Sequence, residues 1–350
     1  MSRGKSPKLI WLAGYKGTGW MVVLCWFLWF WLGARAVVPL FFRDSLYTAS
    51  AVSSLGTVTL GFLFFLPTLL RPSLLWSGTG FWAAAYYAVV ALATFTSPFV
   101  TGENLLRVLG FLSASGAITV ALIITFNVVA PLPALTLATQ GYVAGVLLTT
   151  LVLVVTNPSV LAFQQAGERF GDVEVLHPNT LGMAYGLGLL GLVFLPVYRS
   201  VLLRYGLAFL FALGLLATFS KTSIGAVGVG VAAGWLILPG VRKLGFTLVV
   251  GLGSAFIGFL IGGYLLNHLW TYLDNPYLQS TLTGRTELWT LLLQLVPERP
   301  ALGYGFGVMK DVVGPYASSI GWWSSYNQAH NAYLDALFSS GYLGVSVFAL

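Results

Sequence analysis

About ten apolar runs, each near the length of a membrane-crossing helix, follow one another along this chain. A spanning helix needs roughly 20 predominantly apolar residues. The runs fall at 19–34, 46–70, 79–100, 108–130, 134–155, 179–197, 205–220, 222–238, 244–266 and 333–350. They fill most of the 350 residues. Only 8% of residues are charged, whereas soluble domains carry about 25%. That deficit is too large for a water-facing surface. The expected fold is therefore all-α: a polytopic membrane helix bundle of about 10 transmembrane helices, with one long extracytoplasmic loop containing short helices.

Both ends of the chain fit that expectation. Arg3, Lys5, Lys8 and Lys16 precede the first run, as in a signal peptide. The run itself is rich in Trp, Phe and Leu, and Arg35 and Pro39 follow it rather than a small-residue cleavage site. It reads as a retained first helix. The tenth run stops at Leu350 in mid-apolar sequence, which leaves room for further helices beyond it. The sole cysteine, Cys25, lies inside the first run and excludes an intramolecular disulfide.

Charge suggests an orientation. With the N-terminus cytoplasmic, nine Lys and Arg residues face inward and eight outward, while all ten carboxylates face outward. The inner face is then purely basic and the outer face mixed, as a polar site would be. In a membrane protein the net charge of +7 points to cytoplasmic loops and anionic membrane lipids before nucleic acid. Glycines recur four residues apart at Gly141/Gly145, Gly182/Gly186, Gly230/Gly234 and Gly258/Gly262. This spacing lets helix backbones approach closely in lipid.

Two outer segments interrupt the apolar pattern. The first, 156–178, contains Arg169 and leads into His177, Pro178 and Asn179. The second is the long loop 267–332. Residues 285–296 of that loop read as an amphipathic helix lying along the membrane surface, with Glu287, Thr290 and Gln294 on the polar side and Leu288, Trp289, Leu292 and Leu295 on the apolar side. Thr283 is placed to cap its start. Arg285 then stands in the first turn, where the helix dipole disfavours a cation unless an anion binds there. A solvated arginine at a bend is the alternative. Pro297 and Pro300 end the helix, and Gly303-Tyr-Gly305-Phe-Gly307 reads as a tight turn. Trp322, Trp323 and Tyr326 form either an interfacial belt or a stacking platform for a sugar ring. His330 closes the loop. With an ordinary pKa of about 6.5, it is either structural or a general base.

Other chemistries lack their residues. His177, His268 and His330 have no metal-ligand spacing, and there is no cysteine partner. No Gly-Lys-Ser/Thr phosphate loop and no Gly-x-Ser-x-Gly turn is present. No metal and no cofactor is expected.

Over about residues 150–350 the chain resembles the O-antigen ligase and polysaccharide polymerase family. The matching pieces are Arg169, then His177-Pro-Asn179-Thr-Leu-Gly182, Ser220-Lys221-Thr-Ser223, Thr283-Gly-Arg285 with Trp289, Pro300-x-x-Gly303-x-Gly305-x-Gly307, and His330-Asn331-x-Tyr333-Leu334. The N-terminal half matches only as a generic bundle. This sets residues 1–155, an N-terminal transmembrane bundle, apart from 156–350, the ligase-like region.

The resemblance implies a membrane glycosyltransferase, either ligase or polymerase, in the bacterial inner membrane with its site on the extracytoplasmic side. The implied donor is a glycan on undecaprenyl pyrophosphate. The acceptor is a hydroxyl on another glycan, on lipid A core or on a protein. His330 would be the base, and Arg169 and Arg285 would bind the pyrophosphate. Lys221, His177, Asn179, Asn331 and Tyr326 are the further candidates for substrate contact. Lys221 departs from the family, which often has arginine there. A lysine keeps the charge but loses the bidentate fork, and a lysine snorkelling at a helix end is the alternative. Two readings compete with the transferase: a transporter of a small anion or solute, and a non-catalytic partner in polysaccharide assembly. Transporters place ionisable residues within the membrane and often repeat their halves. These runs hold almost no charge and show no repeat.

Overall fold

The structure, a computed structural model, describes residues 19–42, 45–70, 78–128, 131–162, 169–172, 175–237, 285–316 and 328–349, with the isolated positions 247, 251, 266 and 270. Among the described residues there is no strand; Asp172 and Leu176 form an isolated bridge. The helices are α1 (Gly19–Ala34), α2 (Val38–Phe41), α3 (Leu46–Leu70), α4 (Gly78–Phe95), α5 (Gly102–Val128), α6 (Pro131–Thr156), α7 (Pro178–Phe194), α8 (Val201–Ala217), α9 (Lys221–Ile237), α10 (Arg285–Leu295), α11 (Met309–Val313) and α12 (Ala332–Phe348). Every apolar run overlaps a helix except 244–266, of which only positions 247, 251 and 266 are described. Among the described residues, the segments Val22–Phe41 and Leu132–Thr156 are long and apolar enough to cross a membrane, and six shorter apolar helices accompany them. Several expected boundaries move by a few residues, as where 108–130 begins already at Gly102 and 205–220 is Val201–Ala217. The run 79–100 is helical only to Phe95, because Pro98 lacks a backbone donor and disfavours helical geometry at Ser97.

The helices expose what a soluble protein would bury. Leu202 is 86% exposed, Ile237 82%, Val229 71% and Val155 68%. Large side chains of this kind on many helices make an apolar exterior, consistent with a helical membrane protein.

The chain divides into two compact units. The first comprises Met1–Ser53 and Val128–Leu269, the second Ser54–Asn127 and Trp270–Leu350. In the first unit, α1 packs on α6 through glycine. A Cβ added to Gly33 would lie 2.5 Å from the Tyr142 carbonyl oxygen, and Gly141 and Gly145 face the α1 backbone at Trp26 and Phe30. The close approach lets the buried Thr149 hydroxyl donate to the Gly33 carbonyl at 2.9 Å. The pair α7 and α9 repeats the device. Gly186 meets Val227, and Gly230 and Gly234 meet Leu190 and Phe194. Gly258 and Gly262 lie outside the described residues.

In the second unit, Leu288 and Leu292 of α10 are fully buried beside Val108, Val308, Val313 and Phe338. The apolar stripe of this helix is therefore closed by protein. The expectation that it lies along the membrane surface is corrected to that extent. The tight turn expected at Gly303–Gly307 is a longer irregular segment, with φ of +66°, +98° and +74° at its three glycines.

That segment repairs a break in α12. Gly341 has φ 64° and ψ −166°, outside the helical region. An unbroken helix would pair the Tyr342 N–H with the Phe338 carbonyl and the Leu343 N–H with the Ser339 carbonyl. Here Tyr304 and Gly305 donate to those carbonyls at 2.8 and 3.0 Å, while Tyr342 and Leu343 donate to Pro300 and Ala301 at 2.8 and 3.3 Å. All four freed groups are satisfied, the condition for irregular backbone away from water. The Phe306 N–H reaches the Thr94 hydroxyl at 3.0 Å, and the Ser97 hydroxyl donates to the Tyr304 carbonyl, so the segment is also fastened to the end of α4.

Candidate functional site

In the first unit the structure brings Arg169, His177, Asn179 and Lys221 together. His177 precedes α7, and its Nδ1 accepts from the Asn179 N–H at 3.1 Å, which caps the helix. Pro178 occupies the first helical position, where a missing N–H costs nothing. On the other side, α8 ends in a sharp turn. Phe219 has φ 47°, and Ser220 leads directly into α9, whose first residue is Lys221. The turn packs on the first turn of α7: a Cβ on Gly182 would fall 2.5 Å from the Ser220 Cβ and 2.7 Å from the Thr218 hydroxyl. Glycine at 182 is thus what allows two helix starts to meet.

Arg169 ties these two starts. Its Nε donates to the Thr218 carbonyl at 2.7 Å and its Nη2 to the Asn179 side-chain oxygen at 2.6 Å. Phe170, next in sequence, donates its N–H to the Ala217 carbonyl at 2.9 Å. Arg169 lies within electrostatic reach of both His177 and Lys221. Burial first, and the Arg169 charge second, hold the His177 imidazole below the usual histidine range. Two helix N-termini, a guanidinium and an ammonium on one rim form a field suited to an anion. The acceptor carbonyl of Thr218 was not among the sequence candidates, and no local signal could have found it.

In the second unit, Arg285 opens α10, and its Nε is buried without a hydrogen-bond partner among the described residues. The residue as a whole is half-buried, and a buried unmatched donor is costly. One turn along the same face, the Trp289 indole N–H donates to the Ala329 carbonyl at 2.8 Å. Ala329 directly precedes His330. The helix that carries Arg285 is therefore bonded to the segment that carries His330.

His330 is half-buried and has φ 56°, a left-handed conformation that histidine adopts more readily than most residues but that still costs about 1 kcal/mol. Asn331 follows in extended geometry and caps α12, its side-chain oxygen accepting from the N–H groups of Tyr333 and Leu334 at 3.1 and 3.3 Å. Asp335 reaches back to the Ala329 N–H at 2.7 Å. Asn179 and Asn331, both expected at the substrate, thus have their oxygens engaged by the protein. Tyr326, with Trp322, Trp323 and Thr283, lies outside the described residues. The described residues hold no group of three or more His, Cys, Asp or Glu side chains able to bind a metal.

No curated protein matches the chain. A family model does, and the matched residues include Lys221, Arg285, His330 and Asn331. Residues 206–349 are similar to the family described as O-antigen ligase.

Proposed function

We propose that the protein is a multi-pass glycosyltransferase of the bacterial inner membrane, of about ten spanning helices, acting on the extracytoplasmic side. Its donor is a glycan on undecaprenyl pyrophosphate, and its acceptor a hydroxyl of another glycan, of lipid A core or of a protein. Residues 1–155 serve as a supporting bundle and 156–350 carry the chemistry. The observation that carries this reading is the Arg169 bridge between two helix N-termini, with Lys221 on the same rim, within a chain whose residues 206–349 match O-antigen ligase.

The chemistry is a displacement at the anomeric carbon. The acceptor oxygen forms a bond to that carbon, and the bond to the phosphate oxygen breaks. His330 takes the hydroxyl proton, and undecaprenyl pyrophosphate leaves with the electron pair. General-base help of this kind is worth about 10²–10⁴-fold. Arg169, Arg285 and Lys221 offset the charge gathering on the diphosphate through charge-assisted hydrogen bonds. Asn179 and His177 act on the donor through Arg169 and the start of α7. Tyr326 and Asn331 contribute to the acceptor side.

The test is reconstitution of the purified protein in liposomes with a glycan on undecaprenyl pyrophosphate and a panel of hydroxyl acceptors. Transfer accompanied by release of undecaprenyl pyrophosphate is the expected result. Uptake of a labelled anion with no donor present, and no transfer with any acceptor, would replace the enzyme by a transporter.

A further inference from the structure

His330 sits in a backbone conformation that must be held from outside, and two side chains hold the residue before it. The Trp289 indole N–H grips the Ala329 carbonyl at 2.8 Å, and the Asp335 carboxylate accepts from the Ala329 N–H at 2.7 Å. The same carboxylate is hydrogen-bonded to the Asn331 N–H. Ala329 is fully buried, so both of its polar groups need partners inside the protein. The residues on either side of His330 are thereby bonded to one carboxylate, and α12 is anchored one step further on by the Asn331 cap. A peptide pinned on both sides cannot relax out of the left-handed conformation by a local φ/ψ change, because doing so would strand a buried donor or acceptor.

We propose that Trp289 and Asp335 are positioning residues for His330. They lock the Ala329 peptide so that the imidazole projects in one direction relative to α10 and Arg285. The proposal rests on the reading of His330 as the base. Trp289 adds a coupling. It stands one turn from Arg285 on α10, so a shift of that helix moves the Ala329 carbonyl and with it the histidine backbone. Asp335 contributes as an acceptor to backbone N–H groups, which an amide oxygen can replace.

Three variants test this in the reconstituted full-length protein. Asp335→Ala removes the acceptor. Asp335→Asn keeps an oxygen in its place. Trp289→Phe keeps the ring and removes the indole N–H. Misplacing a catalytic group by about 1 Å can cost about 10²-fold, so Asp335→Ala and Trp289→Phe are expected to lower kcat by about 10- to 100-fold with KM for the donor changed less than about twofold. Asp335→Asn should restore most of the rate. A second readout is independent of turnover: the rate at which diethyl pyrocarbonate modifies His330, followed by peptide mass spectrometry. It should change severalfold in Asp335→Ala and Trp289→Phe and return in Asp335→Asn.

Unchanged kcat and unchanged modification in Asp335→Ala would overturn the proposal. So would an Asp335→Asn protein as impaired as Asp335→Ala, since charge rather than hydrogen-bond acceptance would then matter. If Asp335→Ala fails to insert, Trp289→Phe decides by the same two readouts. Full transfer by His330→Ala would instead remove the base assignment, while the modification rates would still judge the clamp by itself.

Discussion

Arg169 donates to Asn179 through a hydrogen bond of 2.6 Å, and with its second bond to the Thr218 carbonyl it joins the start of α7 to the turn that opens α9. A side chain held at two points keeps its guanidinium plane in a fixed orientation, as bidentate recognition of a diphosphate requires. Asn179→Ala should free one edge of the guanidinium. Loss of a hydrogen bond to a charged group is worth about 2 kcal/mol, or roughly 30-fold in affinity. The expected outcome is a rise of that order in KM for the lipid-linked donor. Arg169→Lys should be as damaging, since one ammonium cannot reproduce the fork. Donor-dependent initial rates in proteoliposomes measure both.

His330→Ala should abolish transfer, with a loss of about 10²–10⁴-fold in kcat, while expression, insertion and unfolding temperature stay at the wild-type level. Arg285→Ala should act on the same step, because its guanidinium Nε is buried at the start of α10. Single-turnover rates at saturating donor separate this effect from weaker binding. Wild-type turnover in either variant would remove that residue from the mechanism.

His177 predicts a pH dependence of stability. Its Nδ1 caps α7 only when it carries no proton. Burial, and then Arg169, keep its folded pKa below the ordinary histidine value of about 6.5. The folded state therefore favours the neutral ring. That contribution is fully present above the unfolded pKa and is lost as pH falls through the folded one. Thermal unfolding scans from pH 7.5 down to 5 should show a declining midpoint. His177→Asn, which caps without titrating, should flatten the decline. A variant with the wild-type slope would show that other groups cause it.

The repair of α12 predicts unequal glycine effects. Gly303 has φ +66° and Gly341 φ +64°, and a Cβ at either would strike backbone of the partner segment. Gly303→Ala and Gly341→Ala should each cost more than about 2 kcal/mol, combining left-handed strain with the clash. Gly116→Ala in α5 is the control. Its Cβ meets nothing within 4 Å, and helix propensity favours Ala by up to about 1 kcal/mol. Unfolding temperatures of the three variants in one detergent give the comparison.

Much of the local structure was legible in the residues. The runs at 46–70 and 222–238 coincide closely with Leu46–Leu70 and Lys221–Ile237, because a helix satisfies its own backbone and needs only apolar side chains to sit in lipid. The glycine spacings at 141/145, 182/186 and 230/234 marked close helix approaches, because a missing side chain is visible without coordinates. Arg285 and His330 could be singled out as polar groups in an apolar chain. What held His330 could not, since the residues around Trp289 and Asp335 say nothing of their bonds to Ala329.

By itself the sequence determined the helical, apolar character of the chain, the order of its helices and the residue types capable of acid–base and phosphate chemistry. Each of these follows from composition and short-range periodicity, which decide how a segment divides between lipid and water. Only the tertiary structure decided which groups answer one another. The Thr218 carbonyl and Asn179 oxygen fix Arg169, the 300–305 segment closes the gap at Gly341, and Trp289 with Asp335 confines the peptide before His330. A hydrogen bond between residues tens or hundreds of positions apart depends on direction and distance, and neither quantity is written along a chain.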